Sequence, residues 1–152
     1  MQRFIIDWVL NDALAVGPAP RADRHISRLQ EAGIRAVLSL CSEAEAPPPD
    51  GFASSFITRR LVLPDHRVAE PMQPAQLEQA LGLLAELTPN GPVYVHCVAG
   101  VERSPLVCMA WLVRQHGQSP QRALDYLMQV HPGTNPLPHQ WRLLQSLAGS
   151  SS

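Results

Sequence analysis

Pro92-Val93-Tyr94-Val95-His96, followed at once by Cys97-Val98-Ala99-Gly100-Val101-Glu102-Arg103-Ser104, runs a short β-branched strand through a tight loop into a helix. The segment from Arg103 to Gln115 is apolar almost throughout, as a buried helix is, and a strand feeding such a helix is the repeating step of an α/β layer. Upstream, Pro74 to Leu87 places Leu77, Leu81, Leu84 and Leu87 on one helical stripe, with Pro74 suited to a first turn. It stops at Pro89-Asn90-Gly91-Pro92. Ile34 to Leu40 and Ile57 to Leu63 read as strands, and the triple proline Pro47 to Pro49 marks the loop between them. Before the first lies a helical stripe from Asp23 to Ala32, with Asp23 as its cap and Gly33 as its left-handed stop. Asp7 to Val16 reads as an edge hairpin around an Asn-Asp turn, closed by Gly17-Pro18. Ser119 to Gln129 and Pro138 to Leu147 are further helical patterns, and the tail Gly149 to Ser152 reads as frayed. The expected fold is α/β: a mostly parallel central sheet of about four or five strands flanked by helices on both faces. The 152 residues suit one domain, with no room for a second of any size.

Composition removes several function classes. Apolar residues make up 45% and charged residues 16%, with a net charge of -1, so electrostatic capture of nucleic acid or of a membrane is not expected. The longest apolar runs, such as Leu106 to Val113, fall well short of the roughly 20 residues a membrane span needs. The start of the chain, Met1-Gln2-Arg3-Phe4-Ile5-Ile6-Asp7, meets charge too early for a secretory leader, so the expected location is cytoplasmic. Cys41, Cys97 and Cys108 are odd in number and widely spaced, which fits neither a disulfide framework nor a zinc site. All 12 basic residues are Arg, a planar fork suited to oxyanions.

Within the loop, a thiol and a guanidinium stand six positions apart across a strand-to-helix turn. Successive amides in such a turn form an anion cradle, and the helix that follows adds positive potential. Gly100 supplies a residue free to take positive φ, and Arg103 can close the cradle with a bidentate pair to two phosphate oxygens. The same field stabilises a thiolate, so Cys97 is expected to ionise below the free value of about 8.5 and act as a nucleophile.

His96-Cys97-x-x-Gly100-x-x-Arg103-Ser104 is similar to the signature of the cysteine-dependent protein tyrosine phosphatases. Leu63-Pro64-Asp65 resembles their mobile acid loop, and Gly33 to Leu40 resembles a strand of the small dual-specificity members, so that the likeness covers about residues 7 to 147. The resemblance implies a dual-specificity-phosphatase-like fold and a two-step transfer without metal or other cofactor. Cys97 attacks phosphorus, Arg103 and the amides of Val98, Ala99, Gly100, Val101, Glu102 and Arg103 hold the oxygens, and Asp65 serves as acid and then base. Ser104 steadies the departing sulfur, and His96 orders the loop. Asp50 and Glu70 stand as rivals to Asp65; His66 and Arg67 read as solvated.

Classical tyrosine-specific members deepen their pocket with a Lys-containing loop, and this chain has no Lys. The implied substrate is therefore a phosphorylated protein carrying phosphotyrosine, phosphoserine or phosphothreonine, or a small phosphate monoester. A carboxylate at Glu102 disfavours a highly anionic inositol headgroup. Cys41, at the end of a parallel strand as Cys97 is, resembles a neighbour that forms a protective disulfide with the catalytic sulfur; a buried small hydrophobe is the other reading. Cys108 reads as core, and His25, His116 and His131 show no partner spacing. Asn135 and Gln140 lie where the family often brings a polar side chain toward the hydrolytic water, though neither is assigned that role. The alternatives are an arsenate reductase or low-molecular-weight phosphatase, which share Cys-x5-Arg but carry it near the N-terminus, a sulfurtransferase, and a phospho-binding module without turnover.

Overall fold

Five four-residue strands form one sheet, and the apolar side chains of its interior strands alternate between two cores. In β2 (Leu14–Gly17), Leu14 and Val16 face one side and Ala15 the other; in β3 (Ala36–Ser39), Ala36 and Leu38 oppose Val37; in β5 (Val93–His96), Val93 and Val95 oppose Tyr94. All three strands are buried throughout, as parallel strands covered on both faces are. The computed structural model describes residues 3–65, 67 and 70–150. The sheet order is β1-β2-β5-β3-β4, with β1 (Asp7–Leu10) and β4 (Ile57–Arg60) at the edges. β2, β5, β3 and β4 are parallel, and only β1 joins antiparallel, so the sheet is mixed by one edge strand.

α1 (Asp23–Glu31) and α2 (Phe52–Ser55) cover one face over Ile26, Leu29, Phe52, Phe56 and the fully buried Tyr94. On the other lie α3 (Pro74–Leu87), α4 (Arg103–His116), α5 (Pro120–Val130) and α6 (Pro138–Ser150). α4 is apolar on nearly every side because it is wedged between the sheet and the other three helices. Gly117, at φ 66°, ends it in the left-handed region.

Several expectations need correction. Asp23 is the first helical residue rather than the cap: the cap position is Ala22, and no side chain bonds there. The hairpin is not an edge unit, since its second strand is interior and pairs with β5. β4 stops at Arg60, because Leu61 to Leu63 turn away toward the loop that carries Asp65 while Leu61 and Leu63 still bond to Ser39 and Leu40. α2 occupies part of what reads as loop. Helix α6 continues to Ser150, while Ser151 and Ser152 lie outside the described residues.

Candidate active site

Parallel β2, β3 and β5 end together at Gly17, Ser39 and His96, so the loops that follow them meet at one end of the sheet. Residues 97–102 form the central loop, between β5 and α4. Three of its carbonyls are held by donors outside the loop: Val98 from the Ala19 amide at 3.1 Å, Gly100 from His131 Nε2 at 2.5 Å, and Val101 from the Asn135 amide at 2.9 Å. With those carbonyls held outside, the alternating amides are left to line the inner side, the arrangement of an anion cradle. Gly100 adopts φ 76°, and a Cβ there would stand 2.9 Å from the carbonyl carbon and oxygen of Gly17. Glycine is required here by both conformation and space.

Cys97 sits at the head of this loop, 2% exposed, its sulfur 3.3 Å from Ser104 Oγ in the first turn of α4. That hydroxyl and the helix N-terminus both favour negative charge on the sulfur. His96 is buried behind it: Nδ1 donates to the Cys97 carbonyl at 2.9 Å, and Nε2 accepts from Ser39 Oγ at 2.7 Å. Burial above all holds the His96 pKa down, to about 4, so the ring is neutral and fixed in one tautomer.

Arg103 is 3% exposed and reaches back beneath the neighbouring loops. Its Nη1 donates to the Leu63 carbonyl at 3.0 Å, and Nη2 to Glu45 at 3.1 Å. Nε is buried with no acceptor among the described residues, a donor that an oxyanion in the cradle would satisfy. Asp65 is also buried, 3.8 Å from Arg103 Nη2, with Oδ2 accepting from Arg67 Nε at 2.7 Å. Burial pushes its pKa up, but the side-chain and backbone bonds from Arg67 and the charge of Arg103 outweigh this and hold the carboxyl below its ordinary value. Arg67 also reaches Glu45 at 2.9 Å, so this side chain is solvent-exposed, as expected, and also bridges two carboxylates. A cavity of about 640 Å³ opens over this group, lined by Glu45, Pro64, Asp65, Arg67, Glu70 and Arg103.

Cys97, Arg103, Asp65, Ser104 and His96 thus come together with the loop Val98 to Glu102. Ala99 and Val101 are exposed at the rim, and Val98 packs against Cys41, Ala19 and Ala46. Cys41 is fully buried, its sulfur 4.0 Å from His96 Nδ1, and burial pushes its thiol pKa up. Cys108 is core. Asp50 lies apart, beside the Pro48-Pro49 loop; His66 is outside the described residues. Gln140 is buried, accepting from the Leu137 amide while its Nε2 has no partner among the described residues.

Two participants escape sequence reading. Glu45 grips Arg103 from the loop after β3, 58 positions away. His131, which shows no partner spacing, is held by the Asp7 carboxylate at 2.6 Å on Nδ1 and fixes the Gly100 carbonyl through Nε2. The only hint of the first is a carboxylate just past a strand that ends beside the loop.

A model of the family "Dual specificity phosphatase, catalytic domain" matches residues 16–148. Among curated relatives, mouse dual specificity protein phosphatase 12 is 34% identical over 105 residues, 68% of this chain and 30% of that protein. The Arabidopsis thaliana phosphatidylglycerophosphate phosphatase PTPMT1 is 27% identical over 120 residues, 77% of this chain and 35% of that one. The chain thus spans about a third of the length of these relatives. Among solved structures, Tk-PTP in its active form superposes with a TM-score of 0.82 at 24% identity, over 95% of this chain and 97% of that one.

Proposed function

Because the chain belongs to the dual specificity phosphatase catalytic domain family, we propose that it hydrolyses phosphate monoesters on phosphotyrosine and phosphoserine or phosphothreonine proteins through a cysteinyl-phosphate intermediate. The observation that carries this reading is the Cys97 sulfur set against Ser104 at the head of a loop three of whose carbonyls are held from outside, with buried Arg103 closing it. Residues 7–147 act as one catalytic domain, a reading supported by the single sheet that divides both cores. A cytoplasmic setting fits three free thiols. Among the described residues, no helix is long and apolar enough to cross a membrane.

In the first step the Cys97 sulfur bonds to phosphorus as the ester P–O bond breaks, and the leaving oxygen takes a proton from Asp65. The amides of residues 98–103 and Arg103 receive the charge that spreads over the three non-bridging oxygens. In the second, Asp65 takes a proton from water, the water oxygen bonds to phosphorus, and the S–P bond breaks while Ser104 donates to the departing sulfur. Asp65 is here held as carboxylate by Arg67, the form the second step needs; the first requires release from that bridge. Cys41 is read as the redox partner of Cys97: a sulfenic acid at Cys97, formed by peroxide, would be attacked by the Cys41 sulfur with loss of water. Its position beside His96 supports this.

The deciding assay is hydrolysis of p-nitrophenyl phosphate. Cys97→Ser is expected to abolish it, and Asp65→Asn to slow poor leaving groups by about 10² to 10⁴. Substantial turnover by Cys97→Ser would refute the nucleophile assignment.

A further inference from the structure

Beside the cradle, away from the acid loop, the chain gathers positive charge that it does not neutralise. Arg3, Arg21 and Arg24 are exposed around a recess of about 520 Å³ between the N-terminal segment and the start of α1. Four arginines elsewhere have carboxylate partners: Arg59 with Glu86, Arg67 with Asp65 and Glu45, Arg103 with Glu45, Arg114 with Glu78. Among the described residues, none of the three has an ion pair, and neither does Asp23 in the same turn. The wall of the recess is firm. His25, 8% exposed, stacks on Phe4 with ring centroids 4.1 Å apart and accepts from the Arg21 amide at 2.9 Å. Burial, then the charges of Arg24 and Arg28, holds His25 below its ordinary pKa.

The recess is continuous with the catalytic loop. Arg3 and Pro18 line it and also line a second hollow of about 340 Å³ whose other walls are Ala99, Gly100 and Val101 and the paired Asp7 and His131. A chain held with one residue in the cradle would therefore lead past Val101 and Arg3 into the ring of guanidinium groups. Across the cradle the charges are already matched, Glu45 and Asp65 being paired with Arg67 and Arg103 in a cavity that Glu70 also lines.

We propose that the recess bounded by Arg3, Arg21 and Arg24 binds a second anionic group on the substrate, a carboxylate or phosphate on a residue near the phosphorylated one. The substrate class is thus an acidic or multiply phosphorylated protein segment, and this rests on the phosphatase reading above. A concave site lined by planar forks fits a discrete oxyanion bidentately, whereas a membrane surface would call for a flat or protruding basic face.

The test compares phosphotyrosyl peptides that differ only in their flanking residues, serine in one set and aspartate or phosphoserine in the other, placed on either side. The wild-type chain is expected to favour the acidic peptides in kcat/KM by about tenfold, the scale of two or three exposed charge pairs. This preference should shrink as salt rises from about 50 to about 300 mM. Arg21→Ala/Arg24→Ala should abolish the preference and leave p-nitrophenyl phosphate and the serine peptides unchanged. Peptide binding to Cys97→Ser, followed by fluorescence anisotropy, reads the same preference without turnover, so a failure of catalysis and a failure of the second site are distinguishable. Equal treatment of both peptide sets, or a preference that survives in the double variant, overturns the proposal. So does retention on phosphatidylserine vesicles that the double variant loses while no peptide preference exists.

Discussion

Acidification from pH 7 to pH 5 should weaken this fold chiefly through one imidazole. His96 is 3% exposed, and desolvation keeps its pKa at about 4 against an ordinary 6.5, outweighing the opposite pull of its bond to Cys97 O. The unfolded ring takes up a proton near 6.5, but the native ring does not until about 4. The native state is therefore at full advantage above about pH 6.5, and loses ground as pH falls through the interval between the two values. Linkage over pH 7 to 5 gives a loss of about 2 kcal/mol, or a Tm lower by roughly 4–8 °C for a chain of this size. The depressed carboxyls Glu45 and Asp65 have ordinary values of 4.5 and 3.8 and fall further in the native state, so they matter below this window. His25, also lowered, adds in the same direction. In His96→Asn the titration is gone while a side-chain amide can still donate to the Cys97 carbonyl. Urea unfolding followed by tryptophan fluorescence at pH 7 and pH 5 should show wild type losing about 2 kcal/mol more than the variant. Equal losses in the two proteins would refute the buried neutral ring.

Two further outcomes follow from the loop geometry. Gly100→Ala puts a Cβ against the Gly17 backbone at φ 76°; the left-handed conformation costs about 1–2 kcal/mol and the crowding about 1–3 more. Thermal melting should fall by several degrees and turnover at least tenfold, and an unchanged melt would exclude the close approach. Arg67→Ala removes the bonds that depress Asp65, so its pKa should rise and the acid-dependent limb of kcat/KM should move to higher pH. A limb that stays in place would show that another carboxyl carries the proton.

What the sequence reveals here is what local pattern encodes. The leucine spacing after Pro74 sets both ends of α3, and Gly33 marks the end of α1, because each depends on neighbours within one or two turns. The candidate catalytic loop is legible for the same reason: thiol, glycine and guanidinium lie within seven residues. α2 has too few residues to show a period. The end of β4 is set by where Leu61 to Leu63 must go to place Asp65, which a run of branched residues does not record. Glu45 and His131 act across 58 and 124 positions, and pairings of that span leave no periodic trace.

The outward carbonyls of the loop are fastened by Ala19 near the start of the chain and by His131 and Asn135 near its end, with Asp7 bracing His131. During synthesis, a ribosome must therefore release most of the polypeptide before the loop can be tied down. Until the segments on both sides of it have folded back, the thiol has no finished seat for an anion.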